Sequence, residues 1–270
     1  MLEFGLEVAE VRGGRVFDRA ESALRTVEVI LGARSPWQRG GHAGADTVRA
    51  GRCFTQTVCV LAVFNLARAY GLLGWAPLSD AVLTVAMGLI AWRAGASAAD
   101  LGLRKQDVPA GLRYGGTAFG LVLAVLLMAA VIPATSGFLH DTRAAISGGR
   151  VVYELVVTIL LGTVIPEELA FRGVLLGSAL HLWGTWRAVL ITSVLFGLWH
   201  IATTLHTQAD NQTVRHASAV LVVFGGVAVT TAAGVIFCWL RLRSRSLVAP
   251  ALAHLATNGL ALTVAWFATH

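Results

Sequence analysis

Charge is what this chain has least of. Asp, Glu, Lys and Arg make up 13% of its 270 residues, while 56% are hydrophobic. A soluble domain needs more charge than this to keep its surface in water, so an ordinary soluble fold is excluded. Cysteine is scarce as well. Cys53, Cys59 and Cys238 form no CxxC pair and no metal-ligand spacing, which removes disulfide frameworks and zinc fingers. The HExxH signature of the usual zincin helix is missing. The apolar runs lack period-two alternation, which excludes a transmembrane β-barrel. There is no internal repeat and no low-complexity segment. The opening residues, "MLEFGLEVAEVRGG", mix both signs of charge and lead into no short apolar stretch, so no cleavable signal peptide is expected.

Long apolar runs are abundant, and the mean hydropathy is +0.70. A helix needs roughly 20 apolar residues to cross a bilayer. Residues 55–75, 115–136, 188–205, 217–240 and 247–268 approach that length, and 80–95 forms a shorter, weaker candidate. The fold class is therefore all-α, a polytopic transmembrane helical bundle of about seven to eight membrane segments. The net charge is +6 and the isoelectric point lies near 10.0. In a soluble protein that would suggest nucleic acid. Here the basic residues cluster between apolar runs and orient the chain in the bilayer, so no nucleic-acid partner is expected. The expected setting is the plasma (inner) membrane, crossed several times.

Residues 1–52 are the most polar part, and residues 53–270 carry the membrane domain. Phe17, Leu24, Val27 and Leu31 recur at helical spacing. They predict an amphipathic helix on the membrane surface, with a weakly structured tail as the competing reading. "GARSPWQRGGHAG" reads as a loop. The segment Arg93 to Gly116 holds Arg93, Arg104, Lys105 and Arg113 and is placed in the cytoplasm, with 137–150 outside. Residues 150–184 make either two short spans or one broken span. The cluster Arg241, Arg243 and Arg245 falls on the cytoplasmic side only if they cross once, which favours a single broken passage.

Ionisable groups inside a membrane are costly, and by default they propose function. Three places stand out. In "PEELAFRG", Glu168 and Arg172 are four apart and can pair along one helical face. Glu167 points roughly 140° away from Arg172 and is left to face a cavity. Pro166 suits the first turn of a helix or kinks a longer one. In "FGLWH", Phe196 and His200 share a face of the run 188–205. In "HLATN", His254 and Asn258 do the same in the last run. A carboxylate, two imidazoles and a carboxamide from three segments form a constellation for activating water. Glu167 would be the general base, His200 would share or relay the proton, and His254 and Asn258 would donate to a developing oxyanion. Alternatively, Glu and His side chains hold a zinc ion whose bound water attacks.

EExxxR, FxxxH and HxxxN, in this order on successive membrane segments, resemble the motifs of the CPBP family. This is the CAAX-protease and bacteriocin-processing group, also called Abi, which includes the eukaryotic type II CAAX prenyl endopeptidase. "SLVAPALAHLATN" and "LGLRKQD" resemble further stretches of that family, and the resemblance covers about residues 93–268. It implies an intramembrane endopeptidase whose helices surround a polar, conical cavity and whose substrate is a membrane-associated peptide or protein. Carried over, Glu167 and His200 activate water, and His254 and Asn258 stabilise the oxyanion. Glu168, Arg172 and Phe196 support the site. Two routes stay open: zinc held by Glu167, His200 and His254, or a metal-free glutamate mechanism. A non-catalytic binding or bacteriocin-immunity protein is the alternative function. A proton pathway would also use buried Glu and His, but transporters often show repeated halves and none is visible.

Overall fold

The computed structural model describes residues 43–132, 146–210 and 218–269. The expected surface helix within 1–52 lies largely outside the described residues, as does most of the 137–150 loop. Every described element is a helix. In chain order they are α1 (Ala43–Ala69), α2 (Ala76–Arg93), the single turn α3 (Ala98–Leu101), a 3-10 turn (Lys105–Asp107), α4 (Val108–Val131), α5 (Gly148–Leu182), α6 (Thr185–Trp199), α7 (Ile201–Asp210), α8 (Ala219–Ser244) and α9 (Val248–Phe267).

Five helical stretches are long and apolar enough to cross a membrane: α1, the stretch from α3 through α4, α5, α8 and α9. The shorter apolar helix α6 and the 18-residue α2 lie beside them, which is approximately consistent with the expected seven to eight segments. Their outer faces carry Leu121, Val125, Leu221, Phe224 and Val229, all exposed as lipid-facing side chains would be. Trp75 and Trp92 stand exposed at the two ends of α2 and suit interface anchoring. Trp183 instead packs edge-on against Phe54, with ring centroids 5.0 Å apart.

Residues 150–184 make one passage. α5 is a single helix of 35 residues, too long for a simple crossing. It is wound rather than broken, with π-helical turns over Glu154–Val164 and Glu168–Leu175. Between them lies a short α-helical piece, Ile165–Glu167, that begins where Pro166 withholds its N–H from the ladder. π turns are rare, and they gather at functional sites.

One end of the bundle is held by Arg241. Its guanidinium Nη2 donates to the carbonyls of Ala99 and Asp100, at 3.1 and 2.9 Å. The basic cluster at the end of α8 and the loop after α2 therefore share one end of the molecule, as a single passage of α5 requires. Gly102 ends α3 in the left-handed conformation, φ 73°, and a Cβ there would lie 2.3 Å from the Arg241 side chain.

The helices approach closely through small residues, as lipid-embedded helices do. α6 packs along α8, and α9 along α4. A Cβ on Gly197 would come 2.2 Å from Thr231 Oγ1 and 2.8 Å from the Val227 carbonyl. A Cβ on Gly115 would meet the backbone of Ala249 at 2.9 Å. These contacts set the depth and angle at which α6 and α9 deliver their polar residues. Gly197→Ala should therefore destabilise the protein by about 1–3 kcal/mol through overpacking. Gly120→Ala, which meets nothing within 4 Å, should leave stability unchanged or slightly raised. Thermal unfolding in detergent compares the two, and equal midpoints would remove the packing argument.

Candidate active site

Three helices bring polar residues from each of the three motifs together in one largely buried group. α5 carries Glu167, Glu168 and Arg172, which are 7%, 2% and 1% exposed. α6 ends at Trp199, so His200 sits at a helix junction and not well inside a run as the sequence suggested. α9 carries His254, which is buried.

Arg172 is the most demanding of these groups. Its Nη1 donates to Glu168 Oε1 at 3.1 Å. Its Nε and Nη2 have no hydrogen-bond partner. The guanidinium instead lies against three aromatic faces, at 3.9 Å from the centroid of Phe196, 4.9 Å from Phe237 and 5.9 Å from Phe171. Desolvated cation–π contacts of this kind are worth about 2 kcal/mol in favourable cases. They take the place of the missing bonds.

Glu168 serves a second partner. His254 Nδ1 lies 2.8 Å from the same Oε1. A carboxylate only accepts, so this contact assigns the proton to Nδ1 and leaves Nε2 bare. The ring is stacked on Phe237, with centroids 5.3 Å apart and planes 30° apart. His200 is oriented by the same logic. Its Nδ1 lies 2.8 Å from the carbonyl of Phe196, which can only accept, so its Nε2 is bare as well. Phe196 thus touches Arg172 and both imidazoles.

Both bare nitrogens face Glu167. His200 Nε2 is 3.8 Å and His254 Nε2 is 3.9 Å from Oε2, and Oε2 has no hydrogen-bond partner. The other oxygen, Oε1, accepts from the indole Nε1 of Trp199 at 2.9 Å. The indole occupies one oxygen and leaves the other to the imidazoles. These separations are too long for direct hydrogen bonds. An oxygen held about 2.8 Å from two atoms so spaced subtends roughly 85–90° between them, which one small molecule satisfies.

Zinc fits the donor types but not the spacing. Ligands on a tetrahedral zinc with bonds near 2.0–2.1 Å stand about 3.3 Å apart. The two separations from Glu167 Oε2 exceed that, and no group of three or more His, Cys, Asp or Glu among the described residues could hold a metal ion. As arranged, Glu167, His200 and His254 do not fit zinc.

Asn258 is not drawn into this bonded group. It lies on the π-helical stretch Ala256–Leu260, is partly exposed, and makes no side-chain hydrogen bond with the described residues. Sequence reasoning overlooked Trp199, Phe237 and Asp80. Trp199 stands beside His200 in "FGLWH", but its bond to a residue 32 positions earlier leaves no local signal. Asp80 is buried on α2 and pairs with Arg68 of α1.

The site and fold together define a class first: a polytopic helical membrane protein with a buried carboxylate–imidazole cluster. The family follows. Residues 150–260 match the family model described as "Type II CAAX prenyl endopeptidase Rce1-like". All three motifs lie inside the match, which bears out the resemblance read from them. It supports a CAAX-type intramembrane protease, a hydrolase embedded in the membrane and acting on a peptide or protein. No curated protein and no solved structure matches the chain.

Removing one partner of a buried ion pair costs about 3–5 kcal/mol, because the other charge stays behind. Glu168→Gln should accordingly lower the unfolding midpoint sharply. Glu167→Gln keeps an acceptor for Trp199 and should stay close to wild type. If the two variants melt alike, Glu168 is not the structural member of the pair.

Proposed function

We propose that the protein is an intramembrane endopeptidase that hydrolyses a peptide bond of a membrane-associated protein or peptide. One observation carries this reading: Glu167 Oε2, His200 Nε2 and His254 Nε2 converge, each with an unused acceptor position, inside a membrane bundle. Three acceptors around one point call for a donor, and a water molecule is the donor that peptide hydrolysis needs.

The reaction then runs on these side chains. Glu167 Oε2 takes a proton from water as its oxygen attacks the substrate carbonyl. His200, at the mouth of the group and less buried than the glutamate, shares that proton and returns it to the leaving nitrogen. The oxyanion is served by His254 and Asn258. With Nδ1–H anchored on Glu168, His254 has no donor at Nε2 until it takes from Glu167 the proton removed from water; while it holds that proton it donates to the oxyanion, and it hands the proton back before His200 delivers it to the leaving nitrogen. Asn258 Nδ2 donates without any such transfer, and its unbonded amide is free to do so. Glu168 and Arg172 hold the imidazole and the helix in place. No step passes through a metal.

The test uses purified protein in detergent and a library of membrane-anchored peptides read by mass spectrometry. Wild type should cleave, and Glu167→Ala should lose about 10²–10⁴-fold in rate, the usual contribution of a general base. A chelator should leave the wild-type rate unchanged. Full activity in Glu167→Ala on a confirmed substrate would refute the assignment. Inhibition by the chelator, reversed by zinc, would show that the three side chains close in on a metal.

A further inference from the structure

Residues 150–260 carry the three motifs, yet the environment of Glu167 is completed from outside them, by α1. Asn65 Nδ2 donates to the carbonyl of Trp199 at 3.1 Å, across 134 residues of sequence. This carbonyl is one of the last four of α6, which have no partner within their own helix. A side chain from another helix therefore caps α6. The next backbone groups are held too: His200 N donates to the Gly197 carbonyl at 3.1 Å, and Thr204 N to the His200 carbonyl at 2.8 Å. His200 sits between two fixed peptide groups.

The indole of Trp199 is fixed from the same side. Phe64, one residue before Asn65, stacks on it with planes 15° apart and centroids 6.0 Å apart. Phe64 also meets Arg68, whose guanidinium lies 4.9 Å over the Phe64 ring and pairs with the buried Asp80 of α2. The contacts run without a gap from Asp80 through Arg68, Phe64 and Trp199 to Glu167 Oε1.

We infer that Asn65 and Phe64 of α1 are positioning residues for the peptidase: through Trp199 they hold the Glu167 carboxylate with Oε2 turned to the imidazoles, and they hold His200 at the end of α6. This rests on the reading of Glu167 as the base. Trp199 spends its single donor on Oε1, so the glutamate has one free oxygen and one orientation. Without that bond the carboxylate can rotate, and either oxygen can face the imidazoles. Misplacement of a reacting group by about 1 Å can cost 10²-fold in rate.

The experiment replaces Trp199 by benzothienylalanine, which keeps the ring shape and loses only the N–H, and by 5-fluorotryptophan, which keeps the N–H. A positioning role predicts that kcat falls by about 10- to 100-fold in the first with KM within twofold, and that the second restores it. Asn65→Leu should lower kcat in the same direction, and combining it with Trp199→benzothienylalanine should cost less than the product of the two effects. An unchanged kcat in the benzothienylalanine protein overturns the inference. So does an Asn65→Leu loss that only follows a loss of folded protein by thermal unfolding.

A second reading is independent of turnover. In protein labelled with ¹⁵N-tryptophan, the Trp199 indole resonance should shift on Glu167→Gln and on Asn65→Leu. If wild type cleaves nothing, the peptidase reading falls, while these shifts still decide the brace. A resonance unmoved by either variant overturns it.

Discussion

A guanidinium almost sealed from solvent, in the middle of a membrane helix, is the constraint from which the rest of the site follows. Arg172 has to be neutralised, and Glu168 one turn away does it. It also has to be enclosed by surfaces that tolerate a cation, and Phe171, Phe196 and Phe237 supply them from three directions. Those rings come from α5, α6 and α8, so satisfying one charge draws three helices together. Glu168 then has capacity for another donor, and His254 of α9 takes it. The pair is a hub that fixes where the other helices sit, which is a better reason for its presence than any gain in stability.

The cluster around Glu167 is built on that hub by excluding alternatives. Each imidazole has its Nδ1 tied to an acceptor that can only accept, which leaves both Nε2 atoms pointing inward. Glu167 has one oxygen tied to Trp199 and the other unbonded. A buried carboxylate oxygen without a partner is expensive, and proteins keep such groups where chemistry uses them. The π turns on either side of Glu167 belong to the same arrangement. They change the angular step along α5, so that Glu167 can face the imidazoles at the end of α6 and on α9 while Glu168, its neighbour, faces Arg172 and His254.

The fold serves this site by close packing of small residues. Gly197 lets α6 lie against α8 immediately before Trp199 and His200, and Gly115 lets α9 lie against α4 immediately before His254. Each polar side chain is delivered by a helix whose approach is set within a few residues of it. α1 and α2, outside the matched segment, contribute contacts to the same group, so the buried cluster is larger than its motifs.

The sequence by itself determined the class. Scarce charge and long apolar runs allow only a helical membrane bundle, because no other spanning structure fits runs without alternation. It also singled out the polar residues that the fold gathers, since Glu167, Glu168, Arg172, His200 and His254 are conspicuous in apolar surroundings, and the spacing of four made the Glu168–Arg172 pair legible. Local periodicity could not reveal the π winding of α5, or that α6 stops at Trp199 and leaves His200 at a junction, because both depend on neighbouring helices satisfying the backbone. Only the tertiary structure decided which nitrogen of each imidazole is free, which oxygen of Glu167 is open, and that Trp199, Asn65 and Phe64 stand behind it. Those are contacts between residues far apart in sequence, and nothing in the spacing of one helix specifies which face of another it will meet.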